Sequence, residues 1–111
     1  MKKQITLDGK PRTIEANALL PRQYRKEFGR DIVVDMNKLC ATAKKDRNNI
    51  DFEVLENVTW LMLRAAGEDV PDTVDAWLSS LDEMFAVYGV QADVIELWRI
   101  SQTTTSKSKK K

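Results

Sequence analysis

The chain has 111 residues, 42% hydrophobic and 32% charged, which suits one globular domain built on a single core. It holds one cysteine, Cys40, and no histidine, so a single chain can form no disulfide, no Cys/His zinc site and no histidine general base. The net charge of +1 conceals an uneven distribution: residues 1–49 carry 12 basic and 6 acidic groups, residues 50–100 carry 2 and 11, and residues 101–111 add four lysines.

Segments of opposite sign favour self-association or a charged partner, and two solvated faces of a monomer would account for them equally well. The start MKKQITLDG is basic but lacks an apolar core segment, so no secretory signal is expected. No apolar run approaches the roughly 20 residues of a membrane span, and the expected location is the cytoplasm. Cys40 reads as a small buried apolar residue. No acidic loop has glycine at calcium-site spacing. No cofactor, metal or small-molecule substrate is expected.

Residues 2–16, KKQITLDGKPRTIEA, read as a β-hairpin turning at Asp8-Gly9, with Pro11 at the start of the return strand. A lone hairpin is marginal in water, so it must pack on helices or on another chain. Residues 17–29 predict a first helix with Pro21 near its start, a stripe of Leu20, Tyr24 and Phe28, and Gly29 to end it. Arg22, Arg25, Lys26 and Arg30 surround that stripe. Nucleic acid could use this pairing of basic and aromatic groups, but docking of a short helix requires the same stripe.

Asp31 can cap a second helix reaching about Lys45, with Ile32, Met36, Leu39 and Ala43 inward and Asp35, Lys38 and Lys44 outward. A polar loop follows, then FEVLENVTWLMLRAA, residues 52–66. From Val58 on this helix is apolar almost all round, which marks it as the buried centre of the domain. Gly67 ends it. A fourth helix is predicted from Asp72 to Tyr88, with Asp72 and Asp75 at its cap and Val74, Trp77, Leu78, Leu81, Phe85 and Tyr88 as its stripe. A last helix over 91–100 presents Val94, Ile95 and Trp98, and SQTTTSKSKKK (residues 101–111) reads as disordered. The predicted fold is therefore mainly α: one domain, residues 1–100, with a small N-terminal β-hairpin followed by about five packed helices.

No constellation announces an active site. Gly9, Gly29, Gly67 and Gly89 are isolated at element boundaries, so there is no phosphate-binding glycine loop. The carboxylate groups Asp51/Glu53/Glu56, Glu68/Asp69/Asp72 and Asp82/Glu83 sit at helix starts or outward faces, where they suit the helix dipole better than acid–base chemistry. Lys107 to Lys111 could meet nucleic acid only through phosphate attraction, and nucleic acid is not the expected partner. Trp60, Trp77 and Trp98 lie on three successive helices; Trp60 and Trp77 fall within apolar faces and are read as core rather than as an aromatic groove. Trp98, with fewest apolar neighbours, is the best exposed anchor. Met62 and Met84 read as core.

One longer pattern goes further. NALLPRQYRKEFGRDIVVDMNKL (residues 17–39), preceded by ITLDGKPRTIEA, resembles the tail assembly chaperones of long-tailed bacteriophages and prophages. The matching positions are Asp8, Gly9, Lys10, Tyr24, Arg25, Phe28, Gly29 and Asp31. The segments Asp75-Ala76-Trp77-Leu78 and Leu97-Trp98 and the lysine-rich end fit the later part of the same pattern. The resemblance implies a non-catalytic helical protein of the bacterial cytoplasm. It would bind the tape measure protein, keep it soluble during tail assembly, self-associate, and be absent from the mature virion. It also implies a longer form made by ribosomal frameshifting, for which lysine codons near residues 109–111 are suited. For such a client the candidate partner-binding residues are the aromatics Trp98, Trp77 and Phe85 and the acids Asp82, Glu83, Asp93 and Glu96. The alternative is a structural adaptor of the head–tail connector type that persists in the particle.

Overall fold

In the computed structural model, which describes the backbone of residues 1–110 and the side chains of residues 1–102, a two-stranded sheet precedes five helices. Strands β1 (Lys2–Leu7) and β2 (Lys10–Glu15) pair antiparallel with Leu7 opposite Lys10. Asp8 and Gly9 both take positive φ, 56° and 76°, giving the mirror-image turn whose twist matches a hairpin. Met1 and Ala16 exchange both backbone hydrogen bonds and extend the ladder by one pair. Counting from there, Pro11 opposite Thr6 falls at a non-hydrogen-bonded pair, where its missing N–H costs the ladder nothing.

The helices are α1 (Leu19–Phe28), α2 (Ile32–Lys45), α3 (Phe52–Ala65), α4 (Val74–Ser79) and α5 (Gln91–Lys110). As the apolar run predicts, α3 is the centre: nine of its 14 residues are buried, and β2, α1, α2, α4 and α5 all pack against it. Asp51 caps its start by accepting from the N–H groups of Glu53 and Val54. Its end is a Schellman turn: Glu68 N–H reaches Leu63 O and Gly67 N–H reaches Arg64 O, with Gly67 at φ 84°. Ile5, Leu7 and Ile14 of the hairpin are buried against α3 and α5. The hairpin is tied down on both sides. Glu68 accepts from Arg12 Nη1 at 3.3 Å and from Thr13 N–H at 3.0 Å, and Lys3 pairs with Glu96 and, at 3.6 Å, with Asp93.

The α1–α2 corner follows the local signals. Gly29 is left-handed and its N–H bonds Arg25 O, and Asp31 caps α2 through Val33 and Val34 N–H. Pro21 lies in the first turn of α1, two residues after its start at Leu19. Tyr24 and Phe28 dock the helix, with ring centroids 5.1 Å apart and Phe28 edge-on to Trp60. Asp35 departs from the outward position that its helix face suggests: it is 6% exposed. Arg30 grips both its oxygens at 2.7 and 2.8 Å, and the Tyr24 hydroxyl donates to it at 2.7 Å. A carboxylate supplied with a fork and a hydroxyl can be buried.

The fourth helix is the main correction. Instead of running from Asp72 to Tyr88, α4 stops at Ser79 after six residues, and its cap is Thr73, not Asp72. Ser79 and Ser80 turn their hydroxyls back onto Ala76 O and Trp77 O, a habit that competes with helix continuation. The next N–H groups, of Asp82 and Glu83, are both taken at 2.9 Å by the carboxylate of Asp8 at the hairpin tip. Residues 81–87 thus form an irregular segment before a 3₁₀ turn, Tyr88–Val90, leads into α5. At the other end, α5 does not stop at Ile100. Its backbone is helical to Lys110, with no Gly or Pro to break it and the Ser101 hydroxyl bonded to Leu97 O. The disorder expected of residues 101–111 falls mostly on a stretch whose side chains, from 103 onward, lie outside the described residues, as does all of Lys111.

Candidate functional site

The irregular segment that replaces the end of the fourth helix carries the most exposed large apolar side chains among the described residues, Met84 at 88% and Phe85 at 68%. They cannot fold back into the core, because Asp8 fixes the backbone just before them and Ala86 and Val87 bury themselves just after. Phe52 at the start of α3 is exposed beside them and stacks on Tyr88 with centroids 5.5 Å apart. The Tyr88 hydroxyl in turn donates to Asn48 Oδ1 at 2.6 Å. Phe52, Leu78, Leu81, Met84 and Phe85 enclose an open groove of about 430 Å³.

The charge around this groove has one sign. Glu56, Asp82 and Glu83 line it, with no lysine or arginine among the described residues. A neighbouring hollow shares Glu56 and Leu78 and adds Glu27, Glu53, Asp72 and Asp75, again with no cation among the described residues. Among the described residues the ion pairs lie elsewhere, at Lys3, Arg12 and Arg30. Partial burial pushes the Glu56 carboxyl above its ordinary range, and the charges of Glu53, Asp51 and Asp75 add to the push. Like charges gathered without counter-charge cost stability. An apolar groove with such a rim offers recognition of a segment that is itself apolar and basic. No group of three or more Cys, Asp or Glu among the described residues converges as a metal site.

The sequence-predicted partner residues divide. Phe85, Asp82 and Glu83 come together at this groove. Trp77 does not join them: it is 2% exposed and belongs to the core beneath α4. Trp98, expected as the exposed anchor, is 7% exposed because the inner face of α5 carries Val94, Leu97 and Trp98 together. Its Nε1–H is buried without an acceptor among the described residues, and its ring lines a separate groove with Met1, Leu20, Pro21 and Ser101. Asp93 and Glu96 are engaged by Lys3. Three members of the groove escape a reading of sequence alone. Met84 reads as core, Phe52 as part of the inward face of α3, and Glu56 as a plain solvated acid. The adjacent serines 79 and 80 are the only local hint that the stripe through Phe85 breaks.

Trp60 is core as expected, at 1% exposure. Its Nε1–H bonds Pro71 O at 3.0 Å, and Arg64 lies over its ring at 4.6 Å. Cys40 is half-buried, and burial raises its thiol above the ordinary value, against the opposing pull of Arg99 and Lys44. No protein-family model matches the chain, and neither the curated proteins nor the solved structures give a match.

Proposed function

We propose that this chain is a non-catalytic tail assembly chaperone of a long-tailed bacteriophage or prophage, which binds the tape measure protein in the cytoplasm of the bacterial host and holds it soluble until the tail tube forms around it. The observation that carries this reading is the pair Met84 and Phe85, 88% and 68% exposed, on a surface of carboxylates with no cation among the described residues that line it. The segment it fits is an amphipathic helix, with apolar residues on Phe52, Leu81 and Phe85 and lysines or arginines against Glu56, Asp82 and Glu83. Charge of one sign speeds encounter with such a client and repels acidic chains, while the apolar contact supplies the grip. The resemblance of residues 17–39 to the chaperone family adds support of a different kind. Tyr24, Gly29 and Asp31 shape the α1–α2 corner, so the motif speaks for the fold and leaves the client surface to be found elsewhere.

The test is co-expression with the long, helix-rich protein encoded downstream, followed by affinity pull-down. Wild-type chain should render that protein soluble and co-purify with it, and Met84→Ser/Phe85→Ser should lose both effects while remaining folded. A client that stays insoluble and unbound beside a well-folded wild-type chain rules the proposal out. Mass spectrometry of purified particles supplies the second arm: recovery of this chain from the finished virion would make it a structural adaptor instead.

A further inference from the structure

A second groove lies between α2 and α5, and its chemistry is the reverse of the first. Cys40, Ala43 and Ile95 form its floor, Ile100 stands exposed at its edge, and the whole encloses about 610 Å³. Lys44, Arg47 and Arg99 line it. The one carboxylate among its described lining residues, Glu96, is already engaged by Lys3. The Arg47 side chain is held over the groove end by Gln91, which is 1% exposed and accepts from Arg47 Nε at 3.5 Å.

We infer that the Met84–Phe85 projection of one copy of this chain seats in the α2–α5 groove of a second copy, with Asp82 and Glu83 against Lys44 and Arg47. Each half is incomplete alone: an apolar projection flanked by two carboxylates faces an apolar trough flanked by cations. The residues lining the two grooves do not overlap. The contact therefore joins unlike patches, and each added copy leaves one projection and one groove open, so growth continues to a ring or a filament. The inference concerns this chain alone and stands whether or not the chaperone reading holds. Where both hold, a client segment and a second copy compete for Phe85.

Sedimentation velocity on the full chain tests it, at about 0.1 mM protein and at low and high salt. Wild type should grow in mass with concentration at about 0.05 M salt and fall to monomer at about 0.5 M, where screening is short-ranged. Met84→Ser/Phe85→Ser destroys the projection, and Lys44→Glu/Ile100→Ser destroys the groove. All four residues are exposed, so both variants should keep the wild-type thermal midpoint and be monomeric. Mixed in equal amounts, they should form a 1:1 pair and nothing larger, because one intact projection meets one intact groove. Changing Lys107, Lys109, Lys110 and Lys111 together to glutamine should leave the assembly unchanged. The inference is overturned by a wild type that stays monomeric at low salt, by single-patch variants that assemble as wild type, or by a mixture that does not pair. It is equally overturned if the lysine-to-glutamine chain dissociates, since the tail would then be the occupant of the acidic surface.

Discussion

The buried carboxylate of Asp35 ties three parts of one corner together: its own helix α2, the Arg30 guanidinium from the turn, and the Tyr24 hydroxyl from α1. The arginine fork, and then the hydroxyl, hold Asp35 below the usual carboxylate range, and burial opposes them. Because the folded value lies below the unfolded one, this stabilisation is complete above about pH 4 and is lost as pH falls through the lower folded value. Asp35→Ala should cost about 2 kcal/mol at neutral pH, the scale of a charged hydrogen bond removed from a buried hydroxyl. In urea titrations the gap between wild type and Asp35→Asn should hold from pH 7 to about 5 and narrow once the pH falls below about 4. Glu56 has the opposite sign. Its carboxyl is raised by burial and by its acidic neighbours, so its charged form weighs against the fold above the unfolded value and is relieved on acidification. Glu56→Gln should therefore raise stability at neutral pH, by a few tenths of a kcal/mol, the order of relieving like-charge contacts around a half-buried carboxylate on a helix. The same change should weaken client retention in the pull-down. A variant that gains in thermal midpoint while retaining full binding would remove Glu56 from the recognition surface.

At the scale of elements, the boundaries that could be read in the sequence are those set by neighbours in the chain. Asp8-Gly9, Gly29, Asp31, Asp51 and Gly67 each fix a turn or cap within a few residues, and each was legible. Gly67 at φ 84° illustrates the cost of disregarding one: Gly67→Ala should destabilise by about 1 kcal/mol, measurable by thermal melting. The end of α4 was not legible, because the group that captures Asp82 and Glu83 N–H is 74 residues away in sequence from the nearer of them. A stripe at helical spacing reports which residues could share a face, and it is silent on a distant carboxylate that claims the helix's next donors. Those two hydrogen bonds also hold Asp8 below the ordinary carboxylate range, the Asp82 N–H first. Asp8→Ala should speed amide exchange at Asp82 and Glu83 while leaving α3 amides protected. Wild type should show the same local loss as Asp8 is protonated, with the capping present at neutral pH and lost on acidification. Unchanged exchange in the variant would mean that the segment is held by its own packing.

For the whole molecule, the mainly α fold with a leading hairpin was legible because α3 is apolar nearly all round and needs partners on every side. Leu55, fully buried in its first turn, should cost about 3 kcal/mol on replacement by alanine, a large part of the roughly 5–15 kcal/mol that holds such a domain folded. The sign of the candidate site was legible too, since the acids of residues 50–100 outnumber the bases 11 to 2. Its position was not. Composition cannot tell which tryptophan the core will take, and the core takes all three. What it leaves outside is Phe85, on a segment whose path is decided by the hairpin tip.

That hairpin also sets the order in which the chain can be completed during synthesis. Lys3 finds its acids 93 residues later, at Glu96, and Asp8 finds its donors 74 and 75 residues later. Ile5, Leu7 and Ile14 can pack on α3 once that helix is made, but the ion pair and the two hydrogen bonds that fasten the hairpin's strand and tip wait for residues 82–96, so within this domain the hairpin is secured last.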